Sequence, residues 1–340
     1  MSDQAITGRH PGPDGGNPGG RRLAIEAAGL RKRFGDHLAV DGLDLEVPEG
    51  TVLALIGPNG SGKTTTVRIL STLLAPDAGR AAVAGHDVGR EPDAVRAAIG
   101  VTGQFSAIDR LLTGRENLAL MADLNHLGRA AGRERAVELL ERFELAGAAD
   151  RQVITYSGGM RRRLDLAMTL MGRPRIVFLD EPTTGLDPRS RRVLWQIVRE
   201  LVAGGVTILL TTQYLEEADR LADRVALIDH GALVAAGTPA ELKARLPAGR
   251  IQLRFAEEDS LAAAAAVFDG AARADDGLSL TLAAEGTVAG LRDVLDRLEG
   301  HDLPVAGLSM SEPDLDEVFF ALTGDDRPTG RGTADLEKAR

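Results

Sequence analysis

Gly57–Thr64 reads Gly-Pro-Asn-Gly-Ser-Gly-Lys-Thr, a G-x-x-x-x-G-K-T pattern, and its flanks decide what it means. Before it, Thr51–Ile56 (TVLALI) is apolar and rich in β-formers, as a buried parallel strand should be. After it, Thr64–Leu74 (TTTVRILSTLL) carries apolar residues at helical spacing. Strand, glycine-rich loop and helix are the context in which this motif is a phosphate site rather than a turn. Gly57, Gly60 and Gly62, with Pro58, Asn59 and Ser61 between them, let the backbone wrap an anion so that successive N–H groups point inward. The N-terminus of the next helix adds partial positive charge. Lys63 then reaches the β- and γ-phosphates, the Thr64 hydroxyl ligates Mg²⁺, and Thr65 stands beside them. The pattern implies a nucleotide site and an α/β P-loop NTPase fold.

Working outward, the 340 residues suggest two domains, and a net charge of −10 disfavours a broad nucleic-acid-binding surface. The chain has no cysteine, which excludes disulfides and cysteine zinc sites. Basic residues are overwhelmingly Arg, with Lys only at Lys32, Lys63, Lys243 and Lys338. Met1–Arg22 is rich in Pro and Gly, has no apolar signal-peptide core and reads as a disordered tail. No apolar stretch approaches the roughly 20 residues that span a bilayer. Membrane association is therefore expected only through a partner.

From Leu23 two strands precede the turn at Pro48–Gly50, and Phe34 lies in the basic run Arg31-Lys32-Arg33-Phe34. An aromatic there suits stacking on an adenine ring or packing at a strand edge, and the residues alone do not choose. Leu112–Asp150 holds long helical patterns with no clear strand and reads as a helical insertion within the α/β domain. Ser157-Gly158-Gly159 leads into a helix with Arg on one side and Leu/Met on the other; a loop hinge and a second anion-binding helix N-terminus both fit. Ile176–Leu179 is an apolar strand ending in Asp180-Glu181, and two acids there are costly unless they act. Asp180 suits Mg²⁺ held through water, and Glu181 suits orienting and deprotonating an attacking water. Trp195, the only tryptophan, reads as packing, and Glu217 with Asp219 as a solvated helix face. Asp229-His230-Gly231 reads as a hairpin turn. Beyond residue 249 the β-α-β-β-α-β order fits a small ferredoxin-like α+β domain.

In this order the motifs resemble the ATP-binding subunit of an ABC transporter over Leu23–Leu242. Gly57–Thr64 resembles its Walker A loop, Gln104 its Q-loop, Tyr156–Met160 its Leu-Ser-Gly-Gly-Gln signature, Arg175–Asp180 its Walker B strand and Gly185-Leu186-Asp187 its D-loop. The resemblance implies a mixed-sheet cassette at 23–242 with a helical subdomain at about 105–172. It also implies a regulatory or dimerisation domain at 249–324 and a flexible tail at 325–340. Phe34 becomes the adenine-stacking aromatic, Gln104 a sensor of Mg²⁺ and water, and Ser157, Gly158 and Gly159 contacts to the γ-phosphate of a second subunit's ATP. Glu181 becomes the catalytic glutamate. Gln213 stands where the family carries a switch His; its amide still donates a hydrogen bond but holds no positive charge, so hydrolysis is expected to persist more slowly.

Val101–Gln104, Thr113–Leu118, Tyr156–Asp165 (YSGGMRRRLD), Thr211–Ala218 (TTQYLEEA) and Leu315–Phe319 together resemble the daunorubicin-resistance type of exporter. That narrower resemblance implies a homodimeric ATPase, using ATP and Mg²⁺, at the cytoplasmic face of the cell membrane. There it would power a separate integral membrane permease that exports a drug or antibiotic such as an anthracycline, with no nucleic-acid partner. A lipid or polysaccharide exporter and a soluble, non-transport ABC ATPase are the alternatives.

Overall fold

In the computed structural model, β3 (Val52–Ile56) lies inside a six-stranded sheet, and all five of its residues are buried. The structure describes residues 22–103, 107–246, 249–274, 276–283, 288–311 and 313–323. Gln104 and the expected tails, apart from Arg22, lie outside them.

Strands β1 (Leu23–Phe34), β2 (His37–Pro48), β4 (Ala78–Val83) and β5 (His86–Asp87) form an antiparallel sheet in the order β2-β1-β4-β5. The large sheet joins β3 to β6 (Ile99–Thr102), β7 (Ile176–Asp180), β8 (Thr207–Thr212), β9 (Arg224–Asp229) and β10 (Ala232–Gly237), in the order β10-β9-β3-β8-β7-β6. Five of these strands run parallel, and β10 returns antiparallel from β9. The hairpin turn between them has positive φ at both His230 and Gly231, which suits the twist of the flanking strands.

The continuous apolar reading of β3 has a direct cause, because the sheet is covered on both faces. Leu53 and Leu55 point to one core, packed with the antiparallel sheet and with Val67, Ile69 and Leu70 of α1 (Lys63–Leu70). Val52, Ala54 and Ile56 point to another, shared with α6 (Pro188–Ala203), α7 (Leu215–Leu221) and the helical insertion. The short α2 (Pro92–Ala98) adds Val95 to the first of these cores.

The insertion comprises α3 (Gly114–Leu124), α4 (Arg129–Arg142) and α5 (Gly158–Thr169). The sequence Thr113-x-x-Glu116 forms a capping box at α3: Thr113 Oγ1 accepts from Glu116 N, while Glu116 accepts from Thr113 N. Tyr156, at the signature's first position, is buried and donates its hydroxyl to Ala148 O at 2.7 Å. A Cβ on Gly114 would stand 2.4 Å from that hydroxyl, so the glycine is what admits the ring.

After α8 (Pro239–Lys243), the chain forms β11 (Arg250–Arg254), α9 (Glu258–Val267), β12 (Ala272–Arg273), β13 (Ser279–Ala283), α10 (Val288–Gly300) and β14 (Gly307–Ser311). The sheet is antiparallel in the order β12-β13-β11-β14, and its core of Ile251, Leu253, Phe255, Leu261, Phe268 and Leu280 is separate from the other two. The last helix, α11 (Leu315–Thr323), departs from the expectation that 249–324 is one unit. Leu315 and Val318 are buried in the core of the large sheet, with Phe319 against them, and α11 packs on α7, α8 and β10. An i, i+3, i+4 apolar stripe needs one groove to cover it, and the nucleotide-binding core supplies that groove. Arg250 and Glu317 form an ion pair that ties β11 to α11.

Candidate nucleotide site

The site lies at the C-terminal ends of the parallel strands, where ligands of open α/β sheets bind. Gly57 follows β3, the loop turns through Gly60 and Gly62 at φ 85° and 102°, and Lys63 opens α1. A Cβ on Gly57 would meet Ile228 O at 2.1 Å, and one on Gly62 would meet Ala39 O at 2.3 Å. These two glycines are demanded by the backbone passing behind the loop.

Lys63 is 5% exposed and donates to Gly57 O at 2.8 Å and Pro58 O at 2.9 Å. Burial lowers its pKa, while the charges of Glu181 and Asp180 act in the other direction. The ammonium is thus held in the loop by weak acceptors that a phosphate oxygen can outcompete.

Thr64, just past Lys63, donates its hydroxyl to Asp180 Oδ2 at 3.1 Å. Asp180, the last residue of β7, is 4% exposed and also accepts from Thr211 Oγ1 on neighbouring β8. The two residues expected to serve Mg²⁺ therefore meet, although 116 positions separate them. Among the described residues no group of three His, Cys, Asp or Glu could hold a metal. One carboxylate and one hydroxyl are instead the set that suits Mg²⁺ brought in with nucleotide phosphates. Ser61 Oγ is buried and has no partner, a polar atom inside the loop for which a phosphate oxygen is a fitting acceptor. The residues present fit both ATP and Mg²⁺.

Glu181 has φ 47°, in the left-handed region that costs a residue with a side chain about 1–3 kcal/mol. Its N–H donates to Thr211 O and Thr211 Oγ1, both at 3.1 Å, which holds the strained backbone. Thr184 Oγ1 donates to the Glu181 carboxylate at 3.2 Å. Glu181 and Asp180 line a cavity of about 430 Å³, with Gly158, Arg162, Asp165 and Leu186.

Ser157 caps α5, its Oγ accepting from Met160 N at 3.2 Å, so this is a capped helix N-terminus rather than a loop hinge. Ser157 and Gly158 are exposed. Gln213, beyond β8, is also exposed. Phe34 is 46% exposed at the end of β1, with Lys32 Nζ 5.8 Å from its ring centre, so it is not a strand-edge core residue.

A family model for "ABC transporter" matches residues 40–184. The daunorubicin resistance ATP-binding protein DrrA3 of Streptomyces coeruleorubidus is 52% identical over 306 residues, 89% of this chain and 97% of that protein. The daunorubicin/doxorubicin resistance ATP-binding protein DrrA of Streptomyces peucetius is 50% identical over 314 residues, 90% of this chain and 95% of that protein. The chain belongs to this family of ABC transporter ATP-binding proteins. Among solved structures, an ABC transporter cassette in its ADP conformation superposes with TM-score 0.60 at 28% identity, covering 65% of this chain and 92% of that one. A dimeric cassette in a post-hydrolysis state with ADP and Pi gives 0.58 at 25%, covering 63% and 98%.

The cassette also uses residues that the sequence did not mark. Thr211 supports both Asp180 and Glu181; a threonine pair ending an apolar strand was its only signal. Glu217, expected on a solvated face, is 1% exposed and accepts from Trp195 Nε1 at 3.3 Å. Burial raises its pKa, and the hydrogen bond from Trp195 acts in the opposite direction. Helical spacing gave the face it occupies but not the helix α6 that covers it.

Proposed function

We propose that the chain is the ATP-hydrolysing subunit of an exporter, working as a homodimer on the cytoplasmic face of a membrane permease. The observation that carries the reading is the convergence of Lys63, Thr64, Asp180 and Glu181 at the C-terminal ends of the parallel strands. Drug export is supported by the daunorubicin-resistance relatives, which align over about nine-tenths of the chain. Among the described residues no helix is long and apolar enough to cross a membrane, so a separate permease would hold the transport path.

Lys63 exchanges its loop carbonyls for phosphate oxygens, and the inward N–H groups of 57–64 surround the anion. Thr64 and Asp180 would hold Mg²⁺, which when bound supplies charge neutralisation on the phosphates. Glu181 accepts the proton of a water held at its carboxylate, and Gln213 donates to the γ-phosphate side from the end of β8. Phe34 offers its exposed ring to the adenine. Ser157 and Gly158 are exposed at the positive end of α5, with Gly159 buried behind them against Ser190, an arrangement suited to the nucleotide of a second copy. Two such half-sites closing on two ATP molecules would exclude water and move the helical insertion against the sheet.

Glu181→Gln tests this directly. The variant is expected to bind ATP as the parent does, to lose hydrolysis by at least a hundredfold, and to accumulate as an ATP-bound dimer by size-exclusion chromatography. Turnover at the parental rate would remove Glu181 from the chemistry.

A further inference from the structure

Arg162 lies on α5 one turn beyond Ser157–Gly159, and only 16% of its side chain is exposed. Its guanidinium satisfies acceptors at the end of one strand, just past another and in a loop. Nε donates to Pro182 O at 2.8 Å, Nη2 to Asp180 O at 3.1 Å and Nη1 to Gly103 O at 3.3 Å. Nη1 also meets Asp165 Oδ2 at 3.2 Å, one turn on along the same helix. Gly103 directly follows β6, and Asp180 ends β7, its parallel neighbour. Carbonyls at the C-terminal ends of parallel strands lack ladder partners, and a buried one left unpaired is costly. Here one side chain from another layer of the molecule meets two such carbonyls, Asp180 O and Gly103 O, together with Pro182 O in the loop after β7.

We propose that Arg162 is a positioning residue that keeps α5, and with it Ser157–Gly159, in register with the ends of β6 and β7, and so sets where Glu181 stands. Two of its acceptors, Asp180 O and Pro182 O, bracket Glu181, whose left-handed backbone is otherwise held from the far side by Thr211. The planar fork matters more than the charge. A guanidinium presents its donors in fixed directions, whereas a lysine at this position would offer a single freely rotating ammonium. Movement of the helical insertion against the sheet must therefore either carry the loop 180–182 along or break the fork. The inference rests on the reading of Glu181 given above.

The same molecule contains a matched control. Arg135 on α4 is 11% exposed at its side chain and donates Nη2 to Leu170 O at 2.9 Å, at the opposite end of α5. In the full chain, Arg162→Lys and Arg162→Gln are expected to lower kcat for ATP at least tenfold, with KM changed less than threefold. Arg135→Lys and Arg135→Gln should stay within twofold of the parent in both. A second readout needs no turnover: amide hydrogen exchange in peptides spanning Pro182–Asp187 should rise at least fivefold in the Arg162 variants and not in the Arg135 variants. Equal effects of the two arginines on kcat, or unchanged exchange at Pro182–Asp187, would overturn the proposal. Should Arg162→Gln fail to fold, the two lysine variants decide by the same criteria. Parental turnover in Glu181→Gln would instead sink the underlying reading while leaving the exchange result to stand on its own.

Discussion

Two glycine-flanked helix N-termini in this chain, both proposed to meet nucleotide, are built in opposite ways. The first, at Gly57–Lys63, is packed from behind: Gly57 and Gly62 have no room for a Cβ, and Lys63 is buried in its own loop. The second, at Ser157–Gly159, is open: Ser157 caps α5 locally, and a Cβ on Gly158 would meet nothing within 4 Å. Gly159 differs again, since its Cβ would stand 2.4 Å from Ser190 Oγ on α6. The fold of one copy therefore explains Gly57, Gly62 and Gly159 but gives Gly158 no task. A glycine with open space in front of it, at the first position of a helix, suits close approach by something outside the chain.

That contrast breaks most visibly through the packed loop. Gly62→Ala forces a Cβ against Ala39 O at φ 102°, and Gly57→Ala forces one against Ile228 O. Each is expected to cost about 3 kcal/mol or more in denaturant unfolding, with nucleotide binding lost in parallel. Gly158→Ala should do the reverse. Alanine is the better helix former by about 1 kcal/mol, so the unfolding midpoint should hold or rise while ATP hydrolysis falls at least tenfold. Full activity in Gly158→Ala would mean that the second helix N-terminus contacts no nucleotide.

Smaller effects sharpen the picture at the end of β8. Gln213→Ala should lower hydrolysis severalfold at nearly unchanged ATP affinity, and Gln213→His should raise it above the parent, as steady-state rates would reveal. An Ala variant as fast as the parent would remove Gln213 from the site. The least change is expected behind that strand, at Glu217. Its pKa is raised in the fold, so the folded chain holds the proton more tightly than the unfolded chain. Stability linked to this group is complete below its ordinary value of 4.5 and is lost as pH rises through the folded value. Glu217→Gln keeps the acceptor for Trp195 and removes the buried charge. It should unfold at a higher temperature than the parent at pH 8, with the gap closing toward pH 4.5 in thermal melts.

The same contrast marks what could be read without coordinates. The packed loop was legible because its parts are contiguous: strand, glycines, Lys63 and Thr64 follow one another, and local geometry alone makes a phosphate cradle. Asp180-Glu181 was legible for a related reason, two acids at the end of an apolar run. The capping box at Thr113 and the hairpin at His230-Gly231 are likewise short-range, set by backbone angles and neighbours a few residues away.

Only the tertiary structure decided the rest. Thr64 meets Asp180 because β3 and β7 both flank β8; Thr211 supports Glu181 because β8 is the neighbour of β7. Arg162 reaches three carbonyls because α5 crosses the ends of β6 and β7. Glu217 is buried because α6 lies over it, and α11 joins the nucleotide-binding core although it follows the small antiparallel sheet in sequence. Helical and strand periodicity assigns a residue to a face, since that depends on the backbone alone. What covers the face depends on strand order and on packing between segments far apart in the chain, and that is where the support of this site lies.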